Sequence, residues 1–312
     1  MTSNSSLQET IHRISSTPGS FALVSSTPSW PISPCISKKE PNGSKTSSSL
    51  PPIHISILDS SFNPPTTAHQ SIAFSTFPSH YPTSSSSSST SSSSSSNGPS
   101  TSPPSYTARL LLFSARNVEK TLKSSDATPS QRVEMMSILS NTRSNSNPDE
   151  AVAVGLVNEP TFVGKASIIR EYLSSLNLHL QERRIDLTFL VGTDTLVRFF
   201  DPRFYPENKM EEKIKEFFSP YPEGSGAYLV SARRGADDTD RALEDEILNR
   251  DKVRQWVSQG KVRLLGTGHE GREEISSTKV RQAIVTRHWE QVERMTGKDI
   301  AKYIREKGLY SS

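Results

Sequence analysis

Cysteine is nearly missing from this chain: one residue, Cys35, stands in 312. A single thiol excludes an intrachain disulfide framework and any cysteine-based metal site. Long hydrophobic runs are missing too, since no stretch approaches the ~20 apolar residues of a membrane-crossing helix. A large charge of either sign is also absent, the formal net charge being +3. The charged residues are spread through the second half instead of being blocked, so neither a nucleic acid nor a membrane is expected as a partner. The N-terminus has no apolar secretory core and no arginine-rich transit character. The expected location is the cytoplasm or nucleus.

Two segments are present in excess. Residues 1–50 are dominated by Ser, Thr, Pro and Asn, and residues 78–105 are mostly Ser and Pro, with an unbroken Ser/Thr tract from Thr83 to Ser96. Such composition buries too little apolar surface to offset ordering entropy, so both are expected to be largely disordered. Only Leu7, Ile11 and Ile14 at helical spacing, and Phe21-Ala22-Leu23-Val24 as a short edge strand, suggest order in the head. The division expected is therefore 1–50 as a low-complexity segment and 51–312 as one domain carrying a disordered insert.

Within that domain, β-branched and apolar runs at 53–58, 108–113, 151–157, 185–191, 227–231 and 262–265 read as strands. Helical patterns lie between them, over 67–77, 129–139, 165–176, 207–217 and 240–257, and close the chain from Ser277 onward. Alternating strands and helices predict an α/β fold with a doubly wound parallel sheet, whose ligands bind beyond the carboxyl ends of the strands.

Two segments carry the chemistry. In the first, Ser60-Ser61-Phe62-Asn63-Pro64-Pro65-Thr66-Thr67-Ala68-His69 leaves a buried strand and enters a helix capped by Thr66 or Thr67. Amides at such a turn suit a phosphate, and His69 in the first helical turn adds a ring N–H. In the second, Ile275-Ser276-Ser277-Thr278-Lys279-Val280-Arg281 offers Ser277 as N-cap, with Thr278 and Arg281 on the following turn. Hydroxyls, amides and a guanidinium converging there suit the terminal phosphates of a nucleotide. Arg132 reads equally as solvated or phosphate-facing, Asp194 equally as a helix-capping residue or a ligand. Trp256 and Trp289 read as core, His54 as a strand residue, and the acidic stretch Asp237–Glu246 as a solvated helix face.

Together the two segments resemble the eukaryotic nicotinamide mononucleotide adenylyltransferases, in a divergent fungal branch. That family belongs to the Rossmann-like nucleotidyltransferase superfamily with an H/T-x-x-H signature. Gly192-Thr193-Asp194, Ser231-Ala232-Arg233 and the closing Tyr303-Ile304 and Leu309-Tyr310 extend the likeness from about residue 53 to the end.

The resemblance implies transfer of AMP from ATP to nicotinamide mononucleotide, giving NAD and pyrophosphate. His69 would bind the ATP phosphates, Ser277, Thr278 and Arg281 the β- and γ-phosphates, and Ser60, Ser61 and Phe62 would lie along the nucleotide through their backbone. Gly192 and Asp194 would border the nucleotide sites. A lysine, Lys120 or else Lys123, would serve the phosphates, and Thr161-Phe162 replaces the family's Thr-Trp, making Phe162 the ring for nicotinamide. Mg²⁺ would be bound mainly through ATP oxygens, with no dedicated protein cage. One departure stands at the centre: the family's Gly-Gly is here Asp59-Ser60, so an acidic group either helps position Mg²⁺ or faces away. Two rivals stay open, adenylyl transfer to another phosphomonoester and an ATP-hydrolysing or nucleotide-binding regulatory protein on the same fold.

Overall fold

In a computed structural model that describes residues 4–32, 52–78, 106–115, 126–176, 183–232, 238–265 and 275–311, the apolar runs become strands. These are β1 (Phe21–Ser26), β2 (Ile53–Asp59), β3 (Ala108–Ser114), β4 (Ala151–Val157), β5 (Ile185–Gly192), β6 (Tyr228–Ala232) and β7 (Val262–Leu264). They form one seven-stranded sheet in the order β1-β4-β3-β2-β5-β6-β7. All neighbours from β4 to β7 pair in parallel, and β1 alone runs antiparallel, on the outer edge of β4.

The helices are α1 (Asn4–Ser16), α2 (Thr67–Ala73), α3 (Pro129–Ser146), α4 (Phe162–Leu176), α5 (Thr193–Phe199), α6 (Met210–Phe218), α7 (Asp238–Leu248), α8 (Asp251–Ser258), α9 (Ser277–Val285), α10 (Trp289–Thr296) and α11 (Lys298–Glu306). The single helix expected over 240–257 is two, because Arg250 adopts an extended conformation (φ −61°, ψ 134°) and restarts the chain as the N-cap of α8.

Strand residues alternate between two cores. Ile53, Ile55, Ile57, Leu110 and Leu112 face α4, α5, α6 and α8, where Leu173, Leu196, Phe217 and Val253 meet them. Leu58, Leu111, Phe113, Val154 and Leu190 face the other way, onto α1, α2, α3 and the closing helices. Burial on both faces is why these strands read as continuous apolar runs, not as alternating ones. The expected doubly wound α/β architecture is present. Its chain order reverses between β2 and β5, which opens a crevice at their carboxyl ends, Asp59 and Gly192.

Over residues 4–32 the helix and edge strand suggested at 7–14 and 21–24 are present, within a segment whose composition argued for disorder. α1 and β1 belong to the folded body: Leu7, Ile11 and Ile14 are buried, and β1 pairs with β4 from Phe21 to Ser26. Asn158, one residue beyond β4, donates its Nδ2 to Ile14 O (3.0 Å) and Ser15 O (2.9 Å), closing the end of α1. Phe21 covers Gly155 so closely that a Cβ there would lie 2.9 Å from its ring. Three well-spaced apolar side chains and one edge strand outweigh the polar composition around them. Residues 33–51 and 79–105, which hold the rest of the head and nearly all of the insert, lie outside the described residues.

Ile14 is fully buried, so Ile14→Ala should lower the unfolding free energy by about 2–5 kcal/mol. Urea denaturation of the full chain measures this, and a loss below ~0.5 kcal/mol, the range of surface substitutions, would mean that α1 does not pack as described.

Candidate active site

The β2–α2 connection is built around His69. Thr66 caps α2, its Oγ1 accepting from His69 N at 3.3 Å, and the ring answers by taking the Thr66 N–H on Nδ1 at 3.1 Å. A backbone N–H always donates, so Nδ1 holds a lone pair and the proton of the neutral ring sits on Nε2. That Nε2 lies 3.0 Å from Ser60 Oγ at the end of β2. The capping box thus fixes the tautomer and directs a donor toward the crevice.

Backbone strain in this turn falls on one residue. Phe62 is fully buried with φ +44°, a conformation that side-chain-bearing residues avoid, and its ring centroid lies 5.2 Å from that of His69. Asp59 and Ser60 stay out of the left-handed region, Asp59 as the last residue of β2 paired with Leu112. The missing Gly-Gly therefore costs no backbone freedom here. Ser60 N donates to Leu112 O (3.3 Å), so that amide serves the sheet instead of a nucleotide, and Ser61 is exposed.

The second segment is seated directly on the first. Arg281 donates through Nη1 to Asn63 O at 2.5 Å and through Nη2 to Thr278 Oγ1 at 3.2 Å. Ser277 Oγ donates to Pro64 O at 2.8 Å. Ser277 is not the N-cap that the sequence suggested. Ser276 caps α9, accepting from Lys279 N at 3.2 Å, and Ser277 is freed as the first helical residue to clamp the turn. Tyr310, in the closing motif, donates to Asn63 Oδ1 (2.9 Å), while Asn63 Nδ2 donates to Asp126 Oδ1 (2.9 Å). Arg132 lies beside Asp126, with its Nε on Ala127 O at 2.9 Å, so it is a buried member of this cluster and not a solvated residue.

Asp59 neither faces away nor stands free for a metal. It pairs with Lys165 of α4, both side chains being about nine-tenths buried. Lys165 Nζ also lies 5.2 Å from the centroid of the Phe162 ring, which packs edge-on against Phe189 at 5.5 Å. Sequence reasoning passed over Lys165. The available signal was its place on the apolar stripe with Phe162, Ile169 and Leu173, where a lysine needs an anionic partner.

At the second strand of the crevice, Gly192 is the N-cap of α5, and Asp194 lies exposed in its first turn, so Asp194 is not the cap. Thr161 is exposed and caps α4, accepting from Gly164 N at 3.0 Å and donating to Glu159 at 2.6 Å. The acidic stretch 237–246 is not simply a solvated face. Glu244 is fully buried and accepts from Thr193 Oγ1 (3.1 Å) and Ser231 Oγ (2.8 Å), tying the start of α5 to the end of β6. Trp256 and Trp289 both pack, half-buried, on the cores, and His54 is a buried β2 residue bonded to Thr188 at 2.7 Å. Lys120 and Lys123 lie outside the described residues.

No family model matches the chain. A Schizosaccharomyces pombe protein named "Putative nicotinamide mononucleotide adenylyltransferase" is 26% identical to it over 261 residues, 80% of this chain and 84% of that one. Among solved structures, two of Plasmodium falciparum nicotinic acid mononucleotide adenylyltransferase, complexed with APC and with NaAD, align over 83% of this chain and 97% of theirs. The TM-score is 0.47 for each, at 13% and 14% identity. In this chain His69, Arg281 and Thr278 are brought to one turn, whereas Thr161 and Ser60 N spend their bonds on the fold.

Removing one partner of a buried pair leaves the other charge uncompensated. Lys165→Met should therefore cost about 3–5 kcal/mol of stability, and Lys165→Met combined with Asp59→Leu should recover most of it. A double-mutant cycle by urea unfolding reads this directly, and additive losses would show that the two side chains act separately.

Proposed function

We propose that this protein is a nicotinamide mononucleotide adenylyltransferase, joining nicotinamide mononucleotide to the adenylyl group of ATP to give NAD and pyrophosphate. The observation that carries the reading is the clamp of Ser277 and Arg281 on the Asn63–Pro64 turn. It sets a guanidinium and the Thr278 hydroxyl beside the turn that positions His69, at the switch point where a doubly wound sheet receives its ligand.

In this reaction a phosphate oxygen of the acceptor forms a bond to the α-phosphorus of ATP, and the bond to the bridging oxygen of pyrophosphate breaks. The chain's part is to hold two anions in line and meet the growing negative charge. His69 donates through Nε2, Arg281 through its guanidinium, and Thr278 through its hydroxyl. Ser60 Oγ holds the His69 ring proton until a phosphate oxygen takes its place.

The donor set suits a magnesium ion that arrives on the nucleotide. Asp59 is committed to Lys165. Bound with ATP, Mg²⁺ would neutralise the phosphate oxygens.

One observation favours the amide over the acid as acceptor. The cation nearest the Phe162 ring, Lys165, is already matched by Asp59. A nicotinate carboxylate would meet no unbalanced positive charge from that pair, whereas a neutral carboxamide needs none. The sequence-based expectation of a cytoplasmic or nuclear site goes with this reading.

Purified protein supplied with ATP, Mg²⁺ and either mononucleotide should make dinucleotide and pyrophosphate, faster with nicotinamide than with nicotinic acid mononucleotide. His69→Ala should reduce turnover by about 10²-fold or more, with a stability loss limited to the ~1 kcal/mol of a weakened cap. ADP and phosphate in place of a dinucleotide would instead identify an ATP-hydrolysing regulator. Equal rates with the two acceptors would remove the role given to the Asp59–Lys165 pair.

A further inference from the structure

The end of the sheet opposite the crevice holds a cleft of about 640 Å³, at the amino ends of β5 and β6 and against the last turns of α4. Its volume falls within the range of sites for small ligands. It is roughly 23 Å from the crevice, the length of β5 at ~3.3 Å per residue.

Four cations line this cleft, Arg170, Arg183, Arg184 and Lys261, against one carboxylate, Asp186. That carboxylate is occupied: Arg184 donates to its Oδ2 through Nε at 3.0 Å and Nη2 at 2.7 Å. Lys261 has no carboxylate partner among the described residues. Its Nζ lies 4.1 Å from the centroid of the Tyr228 ring and 3.4 Å from Gly226 O.

Arg170 is 9% exposed and spends Nη2 on Ile185 O at 2.7 Å and on Ser225 O. Its buried Nε finds no hydrogen-bond partner among the described residues. Rings and carbonyls hold these two cations in place without cancelling their charge. Burial also lowers the proton affinity of Lys261, which measures how poorly its charge is solvated there. A buried donor with no hydrogen-bond partner, and an ammonium that Asp186 reaches only through space while Arg184 holds that carboxylate, are both satisfied by an anion in this concave site.

We infer that this cleft is a second ligand site, distinct from the nucleotide crevice, and that it takes a compact phosphate-bearing polyanion. Tyr221, two-thirds exposed with the Arg170 guanidinium 5.2 Å from its ring centroid, forms the rim. The crevice residues are not needed for it.

The test is calorimetric titration of the full chain with inorganic pyrophosphate, in wild type, Lys261→Gln, Lys261→Arg and Arg281→Ala. Lys261 lies at the entrance to β7 and holds the chain there by its backbone, its N–H donating to Trp256 O at 2.8 Å, and thermal unfolding of each variant checks that the fold is kept. Wild type should show two classes of site. Lys261→Gln should weaken one class by about 10-fold or more, and Lys261→Arg should retain it. Arg281→Ala should leave that same class untouched. A single class abolished by Arg281→Ala, or a Lys261→Gln titration matching wild type, would overturn the inference. Loss in Lys261→Gln with no effect of Arg281→Ala would uphold the cleft while counting against the phosphate role of Arg281.

Discussion

The seating of α9 on the Asn63–Pro64 turn is the contact on which the rest of the site depends. Arg281 and Ser277 donate to two consecutive backbone carbonyls of a turn more than two hundred positions earlier in the chain. Those carbonyls have no strand or helix partner of their own, so the side chains from α9 complete a turn that would otherwise need water. Tyr310 and Asp126 bond the Asn63 side chain from two further directions. The turn is consequently rigid, and the His69 ring that follows it is held in one orientation by Thr66. Positioning of this kind is what a reaction without a covalent protein intermediate requires.

A second constraint comes from charge. Parallel sheets are covered on both faces, and this one carries Lys165 and Glu244 inside the cover. Each buried charge is met: Lys165 by Asp59, Glu244 by the hydroxyls of Thr193 and Ser231. Both contacts lie where strands end and the crevice begins. They join α4 to β2, and α7 to the start of α5 and to β6, so they fix the walls of the crevice relative to one another. Buried ion pairs add little net stability over apolar packing but fix register and geometry, and here the geometry is that of the site. The basic cleft at the other end follows a different rule: Arg170 and Lys261 are held by rings and carbonyls, and its one carboxylate, Asp186, is hydrogen-bonded to Arg184.

Much of this was legible from the residues alone. The strands lie within a residue or two of the apolar runs because a strand buried on both faces has no choice of composition. His69, Thr278 and Arg281 stood out in the sequence because donors of this kind are few, and the structure brings them to one turn. The cap of α9 was misplaced by one residue, since Ser276 and Ser277 are equally good caps and only the path of the chain into the helix separates them. In the head, the helix and edge strand that Leu7, Ile11 and Ile14 and Phe21-Ala22-Leu23-Val24 suggested are present, although composition averaged over residues 1–50 argued for disorder.

What the sequence determined by itself was therefore local: which runs are strands, where helices begin, and that the sheet is covered on both faces. The pairing of Asp59 with Lys165, the burial of Glu244, the commitment of Ser277 to Pro64 and the gathering of Arg170 and Lys261 at one cleft were decided by tertiary structure. The reason is physical. Periodicity and capping act between residues a few positions apart, but a buried charge or an open carbonyl is satisfied by whatever the fold brings near it, at any distance along the chain.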